Sequence, residues 1–168
     1  MRGTSRPLHL RGDLVRFPDG TEVLYSTVEN PDSAFVVPHF ENGDTMLVRQ
    51  WRHSWDMSSW EVPAGTFAGG EAPLECARRE LAEETGLVAQ RYTSLGSVHG
   101  AAFLTGWAHL FLAEDLTEST RHPEPWEQGM ELIRIPLAEA LEAALEGQIV
   151  HSGSVTALCR AARALKLL

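Results

Sequence analysis

Apolar and polar positions alternate in short runs over the first third of the chain, switch to a helical period over residues 73–85, alternate again, and end in two further helical stretches. Residues 13–17 and 22–28 alternate on either side of Pro18-Asp19-Gly20, a turn signal, and predict an N-terminal hairpin. Residues 34–38 and 46–50 read as strands separated by Glu41-Asn42-Gly43-Asp44, whose Asn-Gly pair again marks a turn. Further short strands are predicted at residues 60–63, around 93–98, at 107–112 and at 132–135.

The clearest helix runs over residues 73–85. It has no interior Gly or Pro, Pro73 suits the first turn, and Gly86 suits the left-handed residue that closes a helix. Leu74, Ala77 and Leu81 fall at i, i+3 and i+7 and form an apolar stripe. Glu80, Glu83 and Glu84 fall at i, i+3 and i+4 and gather three like charges near the negative end of the helix dipole, which something must offset. One offset is a solvated face with Glu75–Arg79 and Arg79–Glu83 pairs. The other is a hard divalent cation held by the carboxylates, with oxygens from the preceding loop. That loop carries Gly65, Gly69 and Gly70, which let backbone approach a ligand closely, after a rigid Pro63-Ala64-Gly65 exit.

Two helices end the chain. Residues 137–146 place Leu137, Leu141, Ala144 and Leu145 on one face, with Gly147 closing the helix. Residues 154–167 place Val155, Leu158, Ala162 and Leu165 on one face, with Ser152 or Ser154 as the cap. Strands with helices on both sides predict an α/β fold, a mixed sheet sandwiched between helices, with the antiparallel N-terminal strands as an extension.

Gly65, five residues, Glu71, seven residues, then Arg79-Glu80-Leu81-Ala82-Glu83-Glu84-Thr85-Gly86-Leu87 resembles the Nudix box in every defined position. The resemblance implies a hydrolase that splits a nucleoside diphosphate linked to another moiety, using Mg²⁺ or Mn²⁺. Carried residue by residue, it implies metal ligands at Glu80, Glu83, Glu84 and the Ala64 carbonyl, with Arg79 orienting a glutamate; Arg79 and Glu83 count among the catalytic residues.

The flanks are similar to one branch of that family, the ADP-ribose pyrophosphatases. The matching segments are Arg16-Phe17-Pro18-Asp19-Gly20, Leu47-Val48-Arg49-Gln50-Trp51-Arg52, Trp60-Glu61-Val62-Pro63-Ala64-Gly65 and His109-Leu110-Phe111-Leu112-Ala113. In that branch the residues matching Arg52 and Glu61 line the substrate site, and N-terminal strands exchange with a second subunit. The resemblance therefore implies a homodimer, with residues 1–40 contributing to it. Trp51, Trp55 and Trp60 cluster in the same stretch, and such faces stack well on a base. Trp51 and Gly65 join Arg52 and Glu61 as the expected substrate contacts. The branch also places a glutamate on a late acidic loop as base or further ligand. Glu127 is the first choice here and Glu131 the second.

The chain departs from the branch after the box. The segment Val98-His99-Gly100-Ala101-Ala102-Phe103-Leu104-Thr105-Gly106-Trp107 lacks the proline and the acidic pair of that branch, which leaves room for other sugar nucleotides. His53 and His99 are further candidates for substrate contact. Two other functions stay open: a housecleaning pyrophosphatase for nucleoside triphosphates or dinucleoside polyphosphates, and a nucleotide-sugar-sensing module without catalysis.

Composition narrows the setting. At 168 residues and 43% apolar content the chain is expected to form a single domain, residues 1–168, with the box at 65–87. A net charge of −9 disfavours a nucleic-acid groove, and 13 of the 14 basic residues are Arg. No run of 18 apolar residues occurs and the N-terminus has no apolar signal core, so no membrane partner and a cytoplasmic location are expected. Cys76 and Cys159 read as small buried residues in a reducing compartment, without a disulfide or zinc site.

Overall fold

The computed structural model of the chain describes residues 8–121 and 129–168, so Glu127 lies outside the described residues. Among the described residues nine strands and three α-helices follow in order: β1 (His9–Arg16), β2 (Glu22–Glu29), β3 (Ser33–Pro38), β4 (Asp44–Arg52), β5 (Met57–Glu61), β6 (Ala64–Thr66), α1 (Pro73–Thr85), β7 (Leu87–His99), β8 (Trp107–Glu118), β9 (Glu131–Pro136), α2 (Leu137–Leu145) and α3 (Ser152–Ala164). A 3-10 turn, His53–Trp55, joins β4 to β5. Among the described residues no helix is long and apolar enough to cross a membrane.

The strands form three sheets: the hairpin β1-β2, a four-stranded sheet in the order β6-β3-β8-β7, and a three-stranded sheet in the order β5-β4-β9. The four-stranded sheet is mixed, because β3 runs parallel to β8 while the other pairs are antiparallel. Alternate residues of its two central strands serve opposite cores. Ala34, Val36, Phe111 and Ala113 pack with Cys76, Ala77 and Leu81 of α1. Phe35, Val37, Leu110 and Leu112 pack with Leu137 and Ala140 of α2 and with Ala157, Leu158 and Ala161 of α3. Burial on both faces explains why β3 and β8 read as near-continuous apolar runs. The expected α/β sandwich is what the chain forms.

Element boundaries differ from the pattern reading in identifiable ways. Ala64–Thr66 forms β6, which escaped notice because three residues carry no period; it pairs with β3 through Ala34↔Gly65 and Phe35↔Ala64. β7 starts at Leu87, directly after α1, and a bulge between Ser94 and Gly96 breaks its alternation. Leu145 is 60% exposed, and Ala140 takes its expected place in the core. α3 is capped neither by Ser152 nor by Ser154: it begins at Ser152, His151 is its N-cap, and Ser154 is fully buried inside the first turn. Gly86 (φ 71°) closes α1 and Gly147 (φ 78°) follows α2, both in the left-handed region that glycine tolerates best.

The hairpin pairs in full register from His9↔Glu29 to Arg16↔Glu22. Leu10, Leu14 and Leu24 share one of its faces and are each more than two-thirds exposed.

Candidate active site

α1 presents its acids toward the loop before it, not to open solvent. Pro73 opens the helix, and the Glu75 carboxylate accepts the Ala72 N–H at 3.2 Å. With Ala77 and Leu81 buried on the β3 side, the next face carries Glu80 and Glu84 against β6, where they are 6% and 1% exposed. Close approach needs glycine at residue 65: a Cβ there would sit 2.0 Å from Glu80 Oε1. One residue earlier, the Ala64 N–H donates to Glu84 Oε2 at 3.0 Å. β6 and α1 therefore lock carboxylates against backbone and bring Ala64, Gly65, Glu80 and Glu84 together.

Arg79 is the hub of this cluster. Its Nε and Nη2 take the two oxygens of Glu71, both at 2.9 Å, in a bidentate fork. Nη1 donates to Glu80 Oε1 at 2.6 Å and to Glu83 Oε2 at 3.0 Å, and Nη2 also reaches the Thr66 carbonyl at 3.1 Å. The Arg79–Glu83 pair was expected; the Glu75–Arg79 pair does not form, since Glu75 serves the helix start instead. Arg79 holds the Glu71 carboxyl down to about 2, assisted by the Ala68 N–H, while burial opposes the shift. In return Glu71 raises the Arg79 guanidinium, with Glu80 and Glu83 acting in the same direction. Burial, then the charge of Glu80, pushes the Cys76 thiol up to about 12, so it stays neutral and inert, as expected of a buried cysteine. Cys159 is also free, but half-buried.

The donor set suits a hard divalent cation: three carboxylates surround one guanidinium beside the Thr66 carbonyl, with a fourth, Glu84, held on the Ala64 N–H, an acidic excess that a cation of oxygen preference would balance. Among the described residues, no three His, Cys, Asp or Glu side chains already converge as a ligand set. Glu80 and Glu83 are turned to Arg79, and Glu84 to Ala64.

A second ion pair lies close by. Arg52, at the end of β4, forks onto Glu61, at the end of β5, with Nε on Oε1 at 2.8 Å and Nη2 on Oε2. Glu61 is fully buried. Burial works against the Arg52 charge, but Glu61 and, through space, Glu84 outweigh it and raise the guanidinium, which ties this pair electrostatically to α1. Two residues that the sequence reading did not single out for the site, His151 and Ser154, join the surroundings with Trp55 of the tryptophan cluster: His151 Nδ1 lies 3.2 Å from Glu61 Oε2 and 3.1 Å from Ser154 Oγ, and the Trp55 ring sits 5.6 Å from the His151 ring. No local pattern links them, because Glu61 and His151 are 90 residues apart.

Next to this pair an open pocket of about 460 Å³ is lined by Phe35, Trp55, His99, Leu104, His151 and Thr156, among others. That volume lies in the range of small-molecule sites. The His99 and Trp107 rings lie against each other with centroids 3.7 Å apart, tilted by 38°. Trp51 is 57% exposed on β4, while Trp60 packs against the apolar core and lies under Arg49. Glu131 is on β9, exposed, and paired with Arg49 at 3.3 Å. His53 is exposed in the 3-10 turn.

The NUDIX domain model matches residues 29–154, and the chain belongs to that family. It is 36% identical over 146 residues to the ADP-ribose pyrophosphatase of Mycobacterium tuberculosis (strain ATCC 25618 / H37Rv), covering 85% of this chain and 70% of that protein. It is 30% identical over 131 residues to the ADP-ribose pyrophosphatase of Bacillus subtilis (strain 168), covering 76% and 70%. A crystal structure described as an ADP compounds hydrolase matches with a TM-score of 0.83 at 25% identity, covering 98% of this chain and 90% of that one.

Proposed function

We propose that the chain is a Nudix pyrophosphohydrolase that cleaves ADP-ribose or a related nucleotide sugar, with Mg²⁺ or Mn²⁺, into a nucleoside monophosphate and a sugar phosphate. The observation that carries this reading is the complete box folded as one cluster, Arg79 tying Glu71, Glu80 and Glu83 beside the buried Glu84, with Arg52–Glu61 adjacent. Relatives with ADP-ribose pyrophosphatase activity by name support the substrate class.

In the reaction a water oxygen bonds to one phosphorus, the bridging P–O bond breaks, and the water's proton leaves with a base. A divalent cation held by Glu80, Glu83, Glu84 and the Ala64 carbonyl would supply neutralisation of the diphosphate and a lowered pKa for the attacking water. Arg79 positions Glu80 and Glu83 for that task, and Gly65 gives Glu80 its room. Arg52 spends two N–H directions on Glu61 and keeps its others for a phosphate oxygen, a planar donor suited to that contact. Glu127 is retained as the base. The pocket beside His151 and Trp55 has aromatic walls and room for a nucleoside or sugar half, with Trp51 as a further stacking surface.

A homodimer suits the hairpin, whose exposed Leu10, Leu14 and Leu24 form an apolar face of the kind that a second subunit covers. A single domain and a cytoplasmic location complete the proposal.

The test is a substrate panel: full-length protein with Mg²⁺ or Mn²⁺ against ADP-ribose, other sugar nucleotides, dinucleoside polyphosphates and nucleoside triphosphates, with released phosphates identified. Preferred cleavage of ADP-ribose or a sugar nucleotide supports the reading. Preference for triphosphates or dinucleoside polyphosphates would move the chain to the housecleaning class, and binding of a nucleotide sugar without turnover would make it a sensor.

A further inference from the structure

One wall of the 460 Å³ pocket comes from the end of β7 and the loop after it, up to Gly106, the segment in which the chain departs from the ADP-ribose pyrophosphatase branch. That loop is pinned to the end of β2. The Val28 N–H donates to the Phe103 carbonyl at 2.7 Å, the Thr105 N–H to the Val28 carbonyl at 3.2 Å, and the Gly106 N–H to Asn30 Oδ1 at 3.0 Å. Gly106 is needed for that closeness, since a Cβ there would lie 2.5 Å from Asn30 Nδ2 and from the Pro31 carbonyl. A wall fixed in advance loses little freedom when a ligand arrives, so it can select by hydrogen-bonding pattern.

The Gly106 carbonyl dictates the tautomer of His99, which belongs to the same wall. A carbonyl oxygen can only accept, so the ring nitrogen hydrogen-bonded to it at 3.3 Å, Nδ1, carries the proton. The Trp107 ring braces the imidazole, and Trp107 is itself tied by its backbone N–H to Asp32 Oδ1 at 2.8 Å. The neutral ring then offers Nε2 as an acceptor, and among the described residues nothing donates to it. The rest of the lining decides which part of a substrate fits. Among the described residues no Asp, Glu, Lys or Arg lines the pocket, which disfavours the diphosphate itself. Phe35, Trp55, Val98 and Leu104 supply apolar and aromatic surface that suits a base ring. A sugar would bring several hydroxyls to that surface, and Thr156 already spends its own proton on the Ser152 carbonyl at 2.7 Å.

We infer that this pocket takes the base of the nucleotide and that His99 is a specificity-determining residue: its Nε2 accepts a hydrogen bond from an exocyclic amine. Adenine is therefore preferred to hypoxanthine, whose carbonyl in the same place sets lone pair against lone pair. The inference rests on the reading of the chain as a nucleotide-sugar pyrophosphohydrolase. The base is remote from the reacting phosphorus, so the effect falls on KM more than on kcat.

Steady-state kinetics of the full-length protein with Mg²⁺, at about pH 8.5 where an ordinary imidazole is neutral, compare ADP-ribose with inosine diphosphate ribose, which differs in the base alone. The parent is expected to favour ADP-ribose about 10–30-fold in kcat/KM, chiefly through KM. His99→Phe keeps a ring against Trp107 but loses the acceptor, and is expected to bring that ratio within about threefold of unity by raising KM for ADP-ribose. His99→Gln carries an amide that can accept or donate, and is expected to narrow the ratio by lowering KM for the inosine substrate. Each ratio is taken within one protein, so a loss of folded protein or a slackened loop cancels from it. A ratio near one in the parent, or one that both variants leave unchanged, would overturn the inference. ADP-glucose supplies a further arm: if His99→Phe alters the preference between ADP-ribose and ADP-glucose and leaves that between the bases, the pocket holds the sugar half and the inference falls. Failure of the parent to cleave any nucleotide sugar would instead remove the reading of the chain, and the inference with it.

Discussion

Two arginines fork onto buried or half-buried glutamates within this site, and they do so in different settings. Arg79 reaches Glu71, Glu80 and Glu83, all within eight residues of it along the chain, and shares its charge among them. Arg52 commits to Glu61, nine residues away across the β4–β5 hairpin, and His151, the N-cap of α3, lies 3.2 Å from the same carboxylate. The first knot is a rigid frame in an excess of negative charge, which suits holding a cation. The second balances one charge with one charge beside a pocket, which suits an anionic substrate arriving with its own sugar or base. Under the proposed function the two are expected to do different work, the box knot on metal and chemistry and the Arg52 knot on substrate affinity.

The sharpest break of that assignment comes from Glu84, which is 1% exposed and nearly isosteric with glutamine. Glu84→Gln is expected to lower kcat on the order of 10³-fold, a loss of several kcal/mol of transition-state stabilisation, with Tm and circular dichroism close to the parent. Unchanged turnover would remove Glu84 from the chemistry.

A paired exchange sharpens the contrast, because lysine keeps the charge but loses the fork. Arg79→Lys is expected to weaken Mg²⁺ or Mn²⁺ affinity by roughly 10–100-fold, as for other groups that orient metal ligands, which a metal titration of activity reads directly. Arg52→Lys is expected to leave that titration in place and to raise KM about tenfold. If both variants shifted the same parameter, the two knots would be one functional unit.

The contrast also explains what sequence reading reached. Glu71 and Arg79 to Glu84 sit in one loop and one helix, where fixed spacing dictates contact, so the box cluster and the α1 stripe were visible in the residue pattern. Arg52 and Glu61 came from flanking resemblance, and their contact follows from the β4–β5 hairpin. His151 was invisible because its partner is 90 residues away and its local pattern reads as a serine-capped helix start. β6 was missed because three residues are too few to show a period, although they place Ala64 and Gly65 against Glu84 and Glu80. Both misses have one cause: the contacts that matter there are set by sheet and helix packing, and neither residue type nor spacing encodes them.

Gly65 tests how tightly the box knot is built. Its backbone is not in the left-handed region, so glycine is required there for space alone. Gly65→Ala is expected to cost between about 1 and 3 kcal/mol of stability by displacing Glu80, measured by urea unfolding, and to depress kcat as well. Normal stability and turnover would mean that the loop yields freely, and the frame would be softer than its hydrogen bonds suggest.

The smallest effect distinguishes the knots by acid titration. Arg79 holds Glu71 down to about 2 from an ordinary value near 4.5. A group whose pKa is lowered by folding adds stability that is fully present above its unfolded value and is lost as pH falls through its folded one. Between about pH 4.5 and pH 2 the metal-free protein should therefore lose urea resistance progressively as the Glu71 carboxylate gains a proton and lets go of Arg79. Glu71→Gln removes that titration, so the variant should start less stable at neutral pH and show a flatter acid limb, its curve approaching the parent's near pH 2. Parallel curves across that window would mean that Arg79 does not hold Glu71 as the fork geometry indicates, and would leave the box knot no more strongly coupled than an ordinary surface pair.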